Sequence, residues 1–208
     1  MVVGVLSVKF YMKAFWCREL ILTFLAAFTL LLHGAPKPNI ILLVSDDMGW
    51  NEVGYHGSKI ATPHIDRLAK EGMQLDRFYV HPVCSPTRAA LMTGRSPARF
   101  GVLGAIGRGV VPKDEHFLPQ TFQAGGYQTF MVGKWHLGAT DFEHTPNGRG
   151  FDHFFGFHGG GINYYTNDGS GARGWFRNGQ SVAPQGYSTD LLADEAIKLL
   201  KNRNREKP

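Results

Sequence analysis

The sequence predicts an α/β fold built on a mostly parallel sheet, and three observations carry that expectation. Asn39 to Val44 (Asn-Ile-Ile-Leu-Leu-Val) is a continuous apolar run, the pattern of a strand buried on both faces. Segments with strand character then alternate with segments of helical period through most of the chain, as parallel pairing with crossover helices requires. The first run empties into Ser45-Asp46-Asp47, and ligands of open α/β sheets gather beyond the carboxyl ends of the strands.

In chain order, the N-terminus reads as a targeting segment. Lys13 and Arg18 precede the apolar stretch Leu20 to Leu32, Gly34-Ala35 offers small residues for cleavage, and Met12 is an alternative start. Residues 1–35 are therefore expected to be a signal peptide and 36–208 the exported domain; uncleaved, the segment would be a membrane anchor. Its removal would also remove Cys17 and leave Cys84 as the one cysteine of the mature chain, in a compartment where disulfides form. No Asn-x-Ser/Thr sequon occurs, which favours a bacterial exported protein, periplasmic or extracellular, over a lysosomal one.

After the first run, two adjacent carboxylates, Asp46 and Asp47, repel each other unless a cation joins them, and an all-oxygen site suits Ca²⁺ or Mg²⁺. An Asp-Asp pair is otherwise a solvated turn. Thr62-Pro63 opens a helix carrying Ile65, Leu68 and Ala69 on one face and ending at Gly72; His64 and Asp66 read as surface and capping residues on it. Met73 to Val80 is the next expected strand. Cys84 follows at the start of a helix, with Pro86 in its first turn, Ala89 to Met92 favouring helix, and Gly94 as the stop.

That placement gives Cys84 two readings. It is either a small buried hydrophobe, the usual fate of a lone cysteine, or a reactive group among the free N–H groups of a helix N-terminus, with Arg88 one turn on along the same face. A phosphatase-type cysteine loop is excluded, because it needs Arg six residues after the cysteine and Ala90 stands there.

Glycine-rich Phe100 to Val111 lacks the spacing and the lysine of a phosphate-binding loop and reads as an irregular connection. Leu118 to Ala124 is a short helix stopped by Gly125-Gly126, and Tyr127 to Val132 is the third expected strand. It runs into Gly133-Lys134-Trp135-His136-Leu137-Gly138, where residues two apart in extended chain share a face. Lys134 and His136 would then present a cation beside a titratable imidazole, or simply a polar surface. Trp175 to Val182 contains Asn178-Gly179 between strand-like runs and predicts a hairpin. Ser188-Thr189-Asp190 starts an amphipathic helix with Leu191, Leu192, Ala196, Ile197, Leu199 and Leu200 apolar.

The 208 residues, 43% hydrophobic, suffice for one moderate domain. The net charge of +5 is scattered except near Lys198 to Lys207, and no nucleic-acid motif accompanies it, so nucleic acid is not an expected partner.

Cys84-Ser85-Pro86-Thr87-Arg88, followed by Leu91-Met92-Thr93-Gly94-Arg95, closely resembles the sulfatase signature, with Thr87 in place of the more frequent Ser. Gly133-Lys134-Trp135-His136-Leu137-Gly138 resembles the second signature of the same family. The resemblance, of the arylsulfatase type and nearest the branch acting on N-acetylgalactosamine sulfates, covers about Pro38 to Lys207. It implies the α/β/α sandwich of the alkaline phosphatase superfamily. It also implies oxidation of Cys84 to formylglycine by a maturation enzyme, and hydrolysis of a sulfate monoester on a carbohydrate or aryl group. Asp46, Asp47 and the Cys84-derived group would be metal ligands for Ca²⁺ or Mg²⁺, and Cys84, Arg88, Lys134 and His136 catalytic residues, with Lys134 and His136 also binding substrate. Some members carry a serine contact where this chain has Gly159-Gly160-Gly161. Because sulfatases are generally more than twice as long, the chain is expected to be their N-terminal portion, truncated and inactive alone. The rival readings are a phosphatase or phosphonate hydrolase of the same superfamily, and an inactive remnant.

Overall fold

The computed structural model describes residues 37–105, 111–166 and 174–208. The expected signal peptide, with Cys17, and part of the glycine-rich connection lie outside these residues. All elements below belong to the unit Ile40–Pro208.

Four α-helices are described: α1 (Pro63–Glu71), α2 (Cys84–Thr93), α3 (Leu118–Ala124) and α4 (Ser188–Asn202). Their ends follow local chemistry. Pro63 sits in the first turn of α1, and Gly72 caps its end with an N–H donated to Leu68 O. Gly94 closes α2 in the left-handed conformation (φ 65°), which glycine adopts without a Cβ penalty. None of the described helices is long and apolar enough to cross a membrane.

The sheet runs β1 (Phe130–Lys134), β2 (His153–Phe157), β3 (Trp175–Arg177), β4 (Gln180–Val182), in that spatial order. β1 and β2 are parallel, from Phe130 opposite His153 to Lys134 opposite Phe157. β2/β3 and β3/β4 are antiparallel, and the expected hairpin turns at Asn178-Gly179 with both φ values positive. The α/β class thus stands, but the sheet is mixed rather than mostly parallel among the described residues.

Two expected strands account for the difference. Asn39 to Val44 forms no ladder and exposes its side chains, Ile41 at 64% and Leu43 at 78%. Met73 to Val80 is likewise unpaired, with Met73 and Tyr79 both 85% exposed. A strand is completed by a partner's N–H and C=O groups, and neither run finds one among the described residues. The third expected strand is displaced from Tyr127–Val132 to Phe130–Lys134 because the preceding polar groups are engaged elsewhere. Gln128 N donates to Pro208 O, the Gln128 amide bonds Asn204, and Thr129 N donates to Asp152 Oδ2.

The core gathers Ala89 from α2, Val102, Val111, Phe117, Trp135 and Leu137. Arg149, 3% exposed, spans the loop above it, donating to the carbonyls of Val111, Pro112, Lys113 and Glu115 with its guanidinium over the Phe117 ring. α4 is fastened to the sheet by buried Glu195, which bonds His153 on β2 and Arg177 on β3.

Candidate active site

Helix α2 begins at Cys84, after Val83 in extended conformation (φ −135°). The Thr87 hydroxyl turns back to bond the carbonyls of His81 and Val83, so it shapes the entry to the helix. Ser85, Pro86 and Ala89 are buried on the core side, which leaves Cys84 half-buried at the helix tip as a free thiol. At the other end of the same motif, Arg95 pairs with buried Glu115 and ties α2 to the loop before α3.

Arg88 lies one turn after Cys84 and joins three segments. Its guanidinium donates to the Lys134 carbonyl at 2.6 Å and to Asp46 Oδ2 at 2.9 Å. Lys134 Nζ lies 2.6 Å from the same carboxylate oxygen. Burial works against a charged Asp46, but the hydrogen bonds and charges of Lys134 and Arg88 prevail and hold its carboxyl below the ordinary value. Asp47 lines the same cavity of about 940 Å³ as Asp46, Arg88 and Lys134, with a backbone in the left-handed region (φ 54°). The turns after it are held by Glu52, which accepts from Gly49 N, and by His56, stacked on Trp50.

His136 completes the group. Its Nδ1 is 3.0 Å from Cys84 Sγ, within hydrogen-bond distance. Strand alternation is not what brings it there. The chain leaves β1 at Lys134, Trp135 buries its ring with Nε1 donating to Gly138 O and His144 O, and His136 turns into the left-handed region (φ 58°). Two backbone bonds, Trp135 N to Phe157 O and His136 N to His158 O, hold that turn against the chain leaving β2. Lys134 and His136 therefore reach the site by different routes, one towards Asp46 and the other towards Cys84.

Thus the residues expected together from sequence form two contact sets, Asp46–Arg88–Lys134 and Cys84–His136, carried by shared segments: Cys84 and Arg88 stand on α2, and Lys134 and His136 stand at the end of β1. His64 and Asp66 are not part of the group; Asp66 accepts from Thr62 Oγ1 and Tyr55 N and pins the turn Gly54–His56 onto α1. Sequence reasoning missed buried Glu115, the partner of Arg95, and it missed His158. The His158 ring is stacked between Phe154 and Phe176, its Nε2 is buried with no hydrogen-bond partner among the described residues, and burial pushes its pKa down to about 4.

Among the described residues no group of three or more His, Cys, Asp and Glu could hold a metal ion. Asp46 and Asp47 offer adjacent hard oxygens of the type a Ca²⁺ or Mg²⁺ ion takes, but Ca²⁺ binds about 6–8 oxygens, so they fit as part of a donor set. A cation there would compete with Arg88 and Lys134 for Asp46.

The family model for sulfatases matches residues 38–208. Mouse arylsulfatase J is 37% identical over 187 residues, spanning 84% of this chain and 31% of the mouse protein. Rat N-acetylgalactosamine-6-sulfatase is 45% identical over 153 residues, 67% of this chain and 29% of the rat protein. Among solved structures, Ps i-CgsB in complex with k-i-k-neocarrahexaose superposes with a TM-score of 0.77 at 40% identity, covering 83% of this chain and 43% of that one. A structure in complex with its substrate D-glucosamine-2-N,6-O-disulfate gives 0.70 at 32% identity, over 83% of this chain and 33% of the other. The chain spans about a third of the length of these curated relatives. Its fold is the α/β fold of the alkaline phosphatase superfamily. By the family match over residues 38–208, the chain belongs to the sulfatase family.

Proposed function

We propose that this chain carries the nucleophile-bearing part of a sulfate-ester hydrolase that acts on a sulfated sugar. The observation that carries the reading is the convergence of five residues from three segments. Asp46, Arg88 and Lys134 form one ion-pair cluster, and the Cys84–His136 contact of 3.0 Å stands at the tip of the helix that bears Arg88. The sugar preference is supported by the relatives named for N-acetylgalactosamine 6-sulfate and by the two carbohydrate complexes.

Formylglycine made from Cys84 by a maturation enzyme would supply, as its hydrate, the hydroxyl that attacks sulfur. A divalent cation, Ca²⁺ or Mg²⁺, held in part by Asp46, Asp47 and the residue-84 side chain, would polarise the sulfate. Arg88 and Lys134 have the charge and the placement to bind the sulfate oxygens, and the N-terminus of α2 adds its own positive end. His136 Nδ1 is close enough to the residue-84 side chain to take its remaining hydroxyl proton, which lets sulfate leave and the aldehyde re-form. Export through the segment 1–35 would bring the protein to the periplasm or the extracellular space.

The test is turnover of paired sulfate and phosphate monoesters by a protein of full sulfatase length that carries this chain, made with the maturation enzyme and supplied with Ca²⁺. Sulfate release is expected to exceed phosphate release, to vanish in Cys84→Ala, and to fall about 10²–10³-fold in Lys134→Ala and in His136→Ala. Preferred phosphate release, or normal rates in both variants, would contradict the reading.

A further inference from the structure

Gly160 stands closer to the His136 ring than any side chain would permit. A Cβ built on Gly160 would lie 2.7 Å from His136 Cε1, 3.0 Å from Nε2 and 3.3 Å from Nδ1. Contacts below about 3 Å between such atoms are repulsive, so a methyl group here must displace the ring or the loop. The neighbouring Gly161 is the natural contrast, since a Cβ there would meet nothing within 4 Å among the described residues. Neither glycine is in the left-handed region, so the backbone conformation at 160 would accept alanine; the nearest obstacle among the described residues is the imidazole.

The ring has little freedom to yield. His136 is 9% exposed, its backbone N–H is held by His158 O, and its φ of 58° is one that a side-chain-bearing residue keeps only when its surroundings impose it. The ring reaches Cys84 through Nδ1 and Gly160 through Cε1 and Nε2. Gly160 also follows His158 by two residues, so the loop that makes room for the ring is continuous with the carbonyl that holds its backbone.

We infer that Gly160 is a positioning residue: the absent side chain at 160 is the space that lets the His136 imidazole stand against the residue-84 side chain. The inference rests on the reading of Cys84 and His136 as reacting partners, but its test needs no turnover. The chain is made without maturation enzyme, so that residue 84 remains a thiol. Its alkylation by iodoacetamide is then followed at fixed pH through the mass of the Cys84 peptide.

His136→Ala is expected to change the alkylation rate by removing the thiol's neighbour. Gly160→Ala should move the rate most of the way to the His136→Ala value. Adding Gly160→Ala to His136→Ala should change nothing further, and Gly161→Ala should keep the wild-type rate. Should Gly160→Ala lose its cooperative melt, the added His136→Ala must restore it, because the clash is with that ring. Wild-type alkylation in Gly160→Ala, equal effects of Gly160→Ala and Gly161→Ala, a double variant that stays unfolded, or an alkylation rate indifferent to His136 would each overturn the inference. Failure of the sulfatase reading looks different: no formylglycine and no sulfate release in the matured protein, with the thiol results unchanged.

Discussion

The segment from Ile40 to Val83 and the segment from Val111 to Asn202 both carry apolar runs, and they end in opposite states. In the second, Phe154 on β2 and Trp175 on β3 are fully buried. In the first, Leu43 and Tyr79 stand in solvent, and Val53 is its one buried residue. The two differ in pairing more than in composition. β2 has neighbours on both sides, whereas Ile40 to Val44 has no ladder among the described residues. Yet the first segment supplies Asp46, whose carboxylate is tied to the rest of the site by Arg88 and Lys134. Electrostatics here makes a join that backbone pairing does not.

Deleting an apolar side chain from each segment should separate the two most strongly. Phe154→Ala should cost about 3–5 kcal/mol, the usual range for a buried phenylalanine. Leu43→Ala should stay within about 0.5 kcal/mol, as exposed substitutions do. Thermal or denaturant melts of the two variants read the difference directly, and equal losses would mean that the first run is buried after all.

Acid should act on the second segment next. His158 is held neutral by burial, with its pKa lowered to about 4 from 6.5. The unfolded chain therefore binds this proton more readily, and the stabilisation is complete above about pH 6.5 and lost as pH falls towards 4. The limit is about 3 kcal/mol. A melt series across that range should slope downward with acid, and His158→Phe, which keeps the stacking on Phe154 and Phe176, should flatten it.

Two smaller effects complete the contrast. Gly179→Ala places a Cβ in a left-handed turn position (φ 81°) and should loosen the β3–β4 hairpin by about 1 kcal/mol. Asp46→Asn should cost less than about 1 kcal/mol, because the carboxylate is 28% exposed and solvent screens its pairs. The Asp46 carboxyl is held below its ordinary value of 3.8, so its share of stability is present above that pH and disappears as pH falls through the lowered value. Asp46→Asn should remove only this acid-limb component.

What was legible in the sequence was local. Pro63, Gly72, Gly94 and Asn178-Gly179 placed helix ends and a hairpin, because each acts through its own φ or its missing N–H. The motif residues Cys84, Arg88, Lys134 and His136 were legible because their spacing within two short runs resembles known signatures. What stayed hidden depends on residues far apart in the chain. Whether Asn39 to Val44 pairs is decided by a partner strand, and the left-handed turn at His136 by the Phe157 and His158 carbonyls. The value of Gly160 is decided by a ring 24 residues earlier. Gly159-Gly160-Gly161 was visible as a missing contact, while the close approach that makes Gly160 specific has no signature in one sequence.

The tip of α2 is proposed to be a sulfate-ester site and not a structural cysteine. Its most direct test is the mass of the peptide containing residue 84, taken from protein made with and without a formylglycine-generating enzyme. The formylglycine mass is expected at position 84 only when that enzyme is present, and sulfate-ester turnover only from a protein of full sulfatase length that carries the chain and was matured in the same way. An unchanged thiol at Cys84 in the presence of a maturation enzyme proven active on another substrate would contradict it.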